Sequence, residues 1–122
     1  MDNTKIVEQL IESFAKKSTE MMPLDEDIVV ISPLSPDKPY RGKEQVTHFF
    51  HNLIEKMNIK STAIEKHITS GHIVCTLWEI IMEPNLKLSI FSYYEIEKGK
   101  IKLMKSFYDP RHLLEKLKRN SA

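Results

Sequence analysis

The strongest constraint on this chain is a series of four runs between residues 60 and 109 in which apolar and polar residues alternate. Two or three turn-forming residues separate neighbouring runs: Thr69-Ser70-Gly71, Glu83-Pro84-Asn85 and Lys98-Gly99. Connections this short force neighbouring strands to be antiparallel. At about 3.3 Å per residue each strand spans roughly 30 Å, and strands of that length curl. The pattern therefore predicts a curved β-meander, and a helix laid across its concave side would enclose a pocket.

Helical periodicity before and after the meander supplies those helices. One apolar stripe precedes residue 15 and a second follows Gly42, while β-branched residues 28–31 predict a short strand and prolines make residues 32–40 a loop. Asp109-Pro110 opens a final basic helix. The sequence thus predicts an α+β fold, in which a cone-shaped, curved antiparallel sheet wraps around N-terminal helices and a short C-terminal helix follows. The two stripes consist of Ile6, Val7, Leu10, Ile11 and Phe14, and of Val46, Phe49, Phe50, Leu53 and Met57.

Length and composition limit the class of protein. With 122 residues, 41% of them hydrophobic, the chain predicts a single domain over residues 1–122 with its own core. A net charge of +1 gives no electrostatic footprint for nucleic acid. The single cysteine, Cys75, excludes an internal disulfide. The first residues lack the layout of a signal peptide and no apolar run is long enough to span a bilayer, so we expect a cytoplasmic protein without membrane contact.

The alternation in the strands predicts which side chains line the pocket, because a one-residue slip would turn every side chain over. Even positions from 74 to 96 form the inner face. The turn at Lys98-Gly99 pairs Ile96 with Ile101, so odd positions of the last strand should face inward. Thr76, Ser92 and Lys105 then form a polar row on an apolar wall, a pattern typical of a small-molecule site. The predicted ligand-binding residues are Tyr40, Thr76, Trp78, Ser92, Tyr94, Lys105 and Phe107.

Two placements of Lys105 remain open at this stage. Its ammonium group could point into the pocket and bind a ligand carboxylate or carbonyl. Alternatively, a bulge could turn the side chain outward, or its stem could reach the rim of the cone.

The outer face of the same strands carries apolar residues where a solvated surface would be polar. Contiguous apolar patches of this kind usually mark an interface. We therefore expect a homodimer that buries this face. The predicted interface residues are Ile73, Cys75, Leu77, Phe91, Tyr93 and Met104.

Four stretches in this order and spacing resemble the SnoaL-like branch of the nuclear transport factor 2-like superfamily. They are residues 40–46 (YRGKEQV), Gly71 before the run ending in Trp78, residues 97–101 (EKGKI) and residues 107–114 (FYDPRHLL). The resemblance implies a cone-shaped α+β barrel similar in fold to ketosteroid isomerase, often dimeric, with a pocket inside the cone. It also implies varied functions: cyclases, isomerases, epoxide hydrolases, dehydratases and members with no demonstrated activity.

Asp109 is the candidate catalytic residue, because in SnoaL-like cyclases an aspartate at the matching place is a general acid. A purely structural alternative is that it caps the last helix ahead of Pro110. A chemical role requires a raised pKa; apolar neighbours would raise it and the helix N-terminus would lower it.

His48 and His51 are predicted to face outward, so no metal site and no cofactor are expected.

These observations support three hypotheses of function. The first is a binding protein that holds a small hydrophobic molecule in the cone. The second is an isomerase, cyclase or dehydratase that uses Asp109 as general acid or base. The third is a protein-interaction module that docks a partner on the outer apolar face. The first is favoured, because only one acidic residue is placed on the inner face, whereas such enzymes need a base and a separate electrophilic group.

Overall fold

The computed structural model describes residues 2–120; residue 1 and residues 121–122, which the predicted domain includes, lie outside the described residues. Its three helices and six strands give the predicted α+β fold. In chain order the elements are α1 (Asn3–Ala15), β1 (Leu24–Ile31), β2 (Tyr40–Arg41), α2 (Lys43–Met57), β3 (Ile59–Ser70), β4 (Ile73–Met82), β5 (Leu86–Glu97), β6 (Lys100–Phe107) and α3 (Arg111–Arg119).

The strands form one curved, open sheet in the order β2-β1-β6-β5-β4-β3. Strands β3 to β6 are the predicted antiparallel meander. Strand β1 runs parallel to β6, so the sheet is mixed rather than wholly antiparallel. A parallel pair needs a long crossover, and here α2 and the meander connect the two strands. Short turns therefore fixed the direction of β3–β6, whereas nothing local fixed that of β1.

Tight turns hold the meander in register as the sequence predicted. Gly71, between β3 and β4, has φ 57°, a left-handed conformation that glycine adopts without steric cost. Lys98 (φ 51°) and Gly99 (φ 73°) form the two-residue turn between β5 and β6. That turn pairs Ile96 with Ile101, which confirms the predicted pairing.

A β-bulge follows this turn and reverses the predicted orientation of β6. Glu95 pairs with Leu103 although its neighbour Ile96 pairs with Ile101, so Lys102 is an extra residue in the strand. Beyond it, Met104 and Ser106 lie opposite Tyr94 and Ser92 on the inner face. The inward orientation predicted for Lys105 and Phe107, and the outward one predicted for Met104, are therefore wrong.

The concave face of the sheet and the helices enclose the hydrophobic core. Along β4 burial alternates strictly, and every even position from Val74 to Met82 is buried, as predicted. Helix α1 packs against β3, and α2 packs against β1 and α3. The Phe14 and Phe50 rings meet edge to face at 5.2 Å, which joins α1 to α2 inside the cone.

Helix α3 closes the molecule against α2. Leu113 is buried in the core. The buried Lys116 ammonium donates to the Glu83 carbonyl at 2.6 Å, and the Asn120 amide donates to the Lys56 carbonyl at 2.5 Å. These contacts anchor α3 to the β4–β5 turn and to the end of α2. Over the described residues, no helix combines the length and apolar character needed to cross a membrane.

Candidate functional site

An apolar cavity lies between the concave face of the sheet and the three helices. Its free volume is about 40 Å³. Among the described residues, those lining it include no charged side chain, and its polar side chains are Ser32, Ser106, Tyr108 and the Trp78 indole. The apolar lining consists of Phe14, Val30, Ile31, Phe49, Phe50, Leu53, Met57, Ile80, Leu88, Ile90, Met104 and Leu113.

The polar groups at the cavity are linked in two short chains of hydrogen bonds. Trp78 Nε1–H donates to Ser92 Oγ at 3.0 Å, and the Ser92 and Ser106 hydroxyls are 2.8 Å apart. On the other side of the cavity, the Tyr108 and Ser32 hydroxyls are 3.4 Å apart. Burial raises the pKa of the Tyr108 phenol. These groups are neutral, so they can exchange hydrogen bonds with a ligand but cannot neutralise its charge.

Three of the predicted ligand-binding residues are buried beside the cavity without lining it. Ser92 lies behind Ser106 and Trp78. Tyr94 is fully buried, and burial raises its pKa while nearby Ser92 partly offsets the shift. Among the described residues its hydroxyl has no partner at hydrogen-bond geometry. Of the seven predicted residues, Trp78 alone lines the cavity.

The third of these residues, Thr76, belongs to a polar link between α1 and the sheet. Its hydroxyl is 2.8 Å from His67 Nδ1, and His67 Nε2 is 3.1 Å from the Glu8 carboxylate. Thr76 is fully buried, whereas Glu8 lies at the surface. Through His67, the hydroxyl of Thr76 therefore connects β4 to β3 and α1.

The remaining predicted pocket residues lie outside the cavity. The Lys105 ammonium is on the outer face, 5.4 Å from the centroid of the Phe107 ring, where the positive charge meets the ring face. Phe107 is 48% exposed and packs beside Phe91. Tyr40 stacks on Phe49 at 3.9 Å and lines a separate surface groove. Of the two placements that the sequence left open for Lys105, the structure has the outward one, because the bulge reverses the orientation of β6.

Asp109 precedes Pro110, the N-cap residue of α3, and its side chain bonds to the first turn of the helix as a capping residue does. Its exposed carboxylate accepts the backbone N–H of Arg111 at 3.1 Å and pairs with the Arg111 guanidinium at 2.6 Å. These bonds, the guanidinium first, lower the pKa of Asp109 to about 2. A general acid at neutral pH needs the opposite shift. The sequence left the direction of the pKa shift of Asp109 open, and in the structure the pKa is lowered. The carboxylate also lies apart from the cavity lining.

The cap predicts a specific dependence of stability on pH. Because the pKa is lowered from 3.8 to about 2, the contribution of Asp109 is complete above about pH 4 and is lost as the pH falls through 2. We expect Asp109→Ala to lower the Tm at pH 7 by about 3 °C, and Asp109→Asn, which keeps the bond to the backbone but loses the ion pair with Arg111, to lower it by less. Thermal unfolding followed by circular dichroism tests this. An asparagine variant that melts as low as the alanine variant would contradict the capping role.

Sequence reasoning missed the residues that supply the cavity's hydroxyls. Ser106 and Met104 face inward only because of the bulge at Lys102. No turn-forming residue in the sequence marks the position of this bulge. Ser32 lies in the proline-rich loop and Tyr108 beyond the end of β6, where strand periodicity gives no information. Phe49, in contrast, belonged to the stripe predicted for the second helix.

Among residues 2–120, no group of three or more His, Cys, Asp or Glu residues is placed to hold a metal ion.

Comparison with known proteins agrees with this architecture. The family model of the SnoaL-like domain matches residues 7–104, most of the chain. The chain belongs to the SnoaL-like family. No curated protein sequence matches this SnoaL-like chain.

Solved structures similar to this SnoaL-like protein share its fold at low sequence identity. A nuclear transport factor 2-like protein of unknown function from Cytophaga hutchinsonii is 20% identical, with 93% of this chain and 96% of that chain covered and a TM-score of 0.75. A protein described as a SnoaL-like polyketide cyclase from Jannaschia sp. is 13% identical (94% and 90% covered, TM-score 0.75). A steroid delta-isomerase from Pseudomonas aeruginosa is 18% identical (96% and 86% covered, TM-score 0.72). At these identities the likeness establishes the fold alone.

Proposed function

We propose that this SnoaL-like protein binds a small, uncharged and largely apolar molecule in the cavity of the cone. The observation that carries the proposal is the lining itself: an apolar wall with neutral hydroxyls of Ser32, Ser106 and Tyr108 and without a charged side chain among the described residues. Such a wall stabilises an apolar body, and the hydroxyls can orient one carbonyl or hydroxyl group. A charged ligand group inside the cavity would lack a partner.

The size of the cavity adds a condition to this proposal. Its 40 Å³ is far below the roughly 150 Å³ of an engineered cavity that holds benzene. A ligand must therefore displace side chains of the lining. Met57 and Met104 are suited to this, because methionine has three rotatable side-chain bonds and adapts to irregular space.

The enzymatic alternative is supported by the fold shared with a steroid delta-isomerase and with a protein described as a SnoaL-like polyketide cyclase. It is disfavoured by the chemistry of the lining. Isomerisation and cyclisation require a group that exchanges protons at the substrate. Among the described residues, the cavity offers hydroxyls and an indole, and Asp109 is bound by Arg111 outside it. Binding is therefore the better proposal.

Titration with 1-decanol tests the binding function, because Trp78 is the only tryptophan and lines the cavity. We expect a saturable change in Trp78 fluorescence. Ile90→Phe adds a ring beside Trp78 and should weaken 1-decanol binding about tenfold or more. The same substitution at Ile68, which is 53% exposed on β3 and lies opposite Cys75, is the matched control and should have no effect. A saturable response that survives Ile90→Phe would place the site elsewhere.

For the outer face of the sheet we propose a second copy of this chain as the partner. Leu77 lies opposite Phe91, and Phe91 lies opposite Phe107, so apolar side chains continue across three strands. Glu79, which pairs with Lys87 at 3.2 Å, and Lys105 flank these residues with opposite charges on the same face. A two-fold copy can place the charges of one subunit against those of the other. The predicted interface keeps Ile73, Cys75, Leu77, Phe91 and Tyr93 and loses Met104, which lines the cavity.

A further inference from the structure

We propose that the cavity and a groove on the surface are two halves of one site, which holds an elongated apolar molecule ending in a carboxylate. The apolar body would occupy the cavity and the carboxylate would lie in the groove beside Lys56. This inference rests on the proposed function and adds the class of the ligand and its route of entry.

The groove lies between the proline-rich loop, α2 and α3, and has a volume of about 210 Å³. Phe49 and Leu53 line both the groove and the cavity, so these two side chains form the partition between them. The cavity alone is too small for an organic ligand. Opening the partition would join the small cavity to a larger volume, which approaches the few hundred Å³ typical of ligand sites.

A continuous series of aromatic rings leads from the groove into the cone. The ring centroids of Tyr40 and Phe49 are 3.9 Å apart in a stacked arrangement, and those of Phe49 and Phe50 are 5.6 Å apart. Phe50 contacts Phe14 at 5.2 Å, and Phe14 reaches Trp78 at 6.0 Å. An apolar chain that displaced Phe49 would remain in contact with rings along this path. Trp78 at its inner end therefore reports on a ligand that enters from the groove.

Phe49 is the movable member of this series. It is half-buried and stacks on Tyr40 at the surface, whereas its neighbour Phe50 is 2% exposed. Rotation of the Phe49 ring toward solvent costs its stacking on Tyr40, its contact with Phe50 and part of its packing. The ligand chain can replace these contacts, since it would lie against Tyr40, Phe50 and Leu53.

The charge of the groove selects the end group of the ligand. Among the described residues, Lys56 is the one charged side chain that lines the groove, and the lining contains no acidic residue. Asn52 adds an amide on the same face of α2. A carboxylate at the end of the apolar chain would form both an ion pair and a hydrogen bond with the Lys56 ammonium, whereas an alcohol carries no charge to pair. The cavity is uncharged, so the carboxylate is expected to remain in the groove.

Comparing decanoate with 1-decanol tests the inference, because the two probes differ in the head group alone. Each is titrated while Trp78 fluorescence is followed. We expect the wild type to bind decanoate more tightly than 1-decanol. Lys56→Gln should weaken decanoate binding about tenfold and leave 1-decanol binding unchanged. Lys118→Gln, on the exposed side of α3, is the matched control and should change neither.

Stopped-flow mixing tests the partition. Phe49→Ala should raise the association rate constant of 1-decanol about tenfold, while Phe107→Ala on the outer face should leave it unchanged. The inference would be overturned if decanoate binding were insensitive to Lys56→Gln, or if Phe49→Ala left the association rate unchanged. In either case the proposed binding in the cavity would stand as long as 1-decanol still binds. Absence of a Trp78 response to both probes would instead overturn the proposed function.

Discussion

Leu77→Glu is expected to convert the protein from a dimer into a monomer. Leu77 lies at the centre of the outer apolar face, between Cys75 and Phe91, and the proposed interface would bury it twice across the two-fold axis. Placing a carboxylate in a desolvated interface costs several kcal/mol, so the dissociation constant of the dimer should rise about a thousandfold or more. Light scattering at tens of micromolar protein measures the change directly.

Met21→Glu is the matched control for this experiment. Met21 is 48% exposed between α1 and β1, away from the outer face of the sheet, so its substitution should leave the dimer intact. A wild type that is monomeric at these concentrations, or a Leu77→Glu variant that remains dimeric, would contradict the assignment of this face. In the first case the outer face would remain available to a different protein, as the third hypothesis requires.

Phe50→Ala is expected to cause the largest loss of stability among single substitutions at the aromatic series. Phe50 is 2% exposed and contacts Phe14 and Phe49, so its ring joins α1 to α2 over the sheet. Removing a fully buried phenylalanine ring costs about 3–5 kcal/mol, which corresponds to a decrease in Tm of roughly 10–20 °C. Chemical denaturation and thermal unfolding both measure it.

Leu114→Ala provides the comparison, because Leu114 is 47% exposed and should change the free energy of unfolding by less than about 1 kcal/mol. Equal losses for the two variants would show that Phe50 does not hold the helices together. A Phe50→Ala variant that remains folded should also show altered Trp78 fluorescence, since Phe14 lies between the two rings.

The parts of the fold that the sequence predicted are those fixed by short-range rules. Two- and three-residue connections determine direction and register, so the pairing of Thr76 with Ser92 and of Trp78 with Ile90 was predictable. The parallel pairing of β1 with β6 was not, because it depends on how distant segments pack. The same limit applies to α3, whose contacts with Glu83 and Lys56 are tertiary.

One residue accounts for the errors on β6, which are the predicted orientations of Lys105, Phe107 and Met104. The extra residue Lys102 shifts every side chain of β6 that follows it to the other face. A polar row across the sheet was predicted, and the structure has one, but its member on β6 is Ser106 rather than Lys105. The site consequently changes from one that could bind a charged group inside the cone to one that offers neutral hydroxyls.

Methyl NMR of methionine-labelled protein during titration with 1-decanol shows whether the ligand binds inside the cone. Met57 and Met104 line the cavity, whereas Met21 is exposed between α1 and β1 and Met82 is buried outside the cavity lining. We expect saturable shifts of the Met57 and Met104 methyl signals with the same dissociation constant, and unchanged Met21 and Met82 signals. Saturation at Met21 or Met82 with Met57 and Met104 unperturbed would contradict binding in the cone.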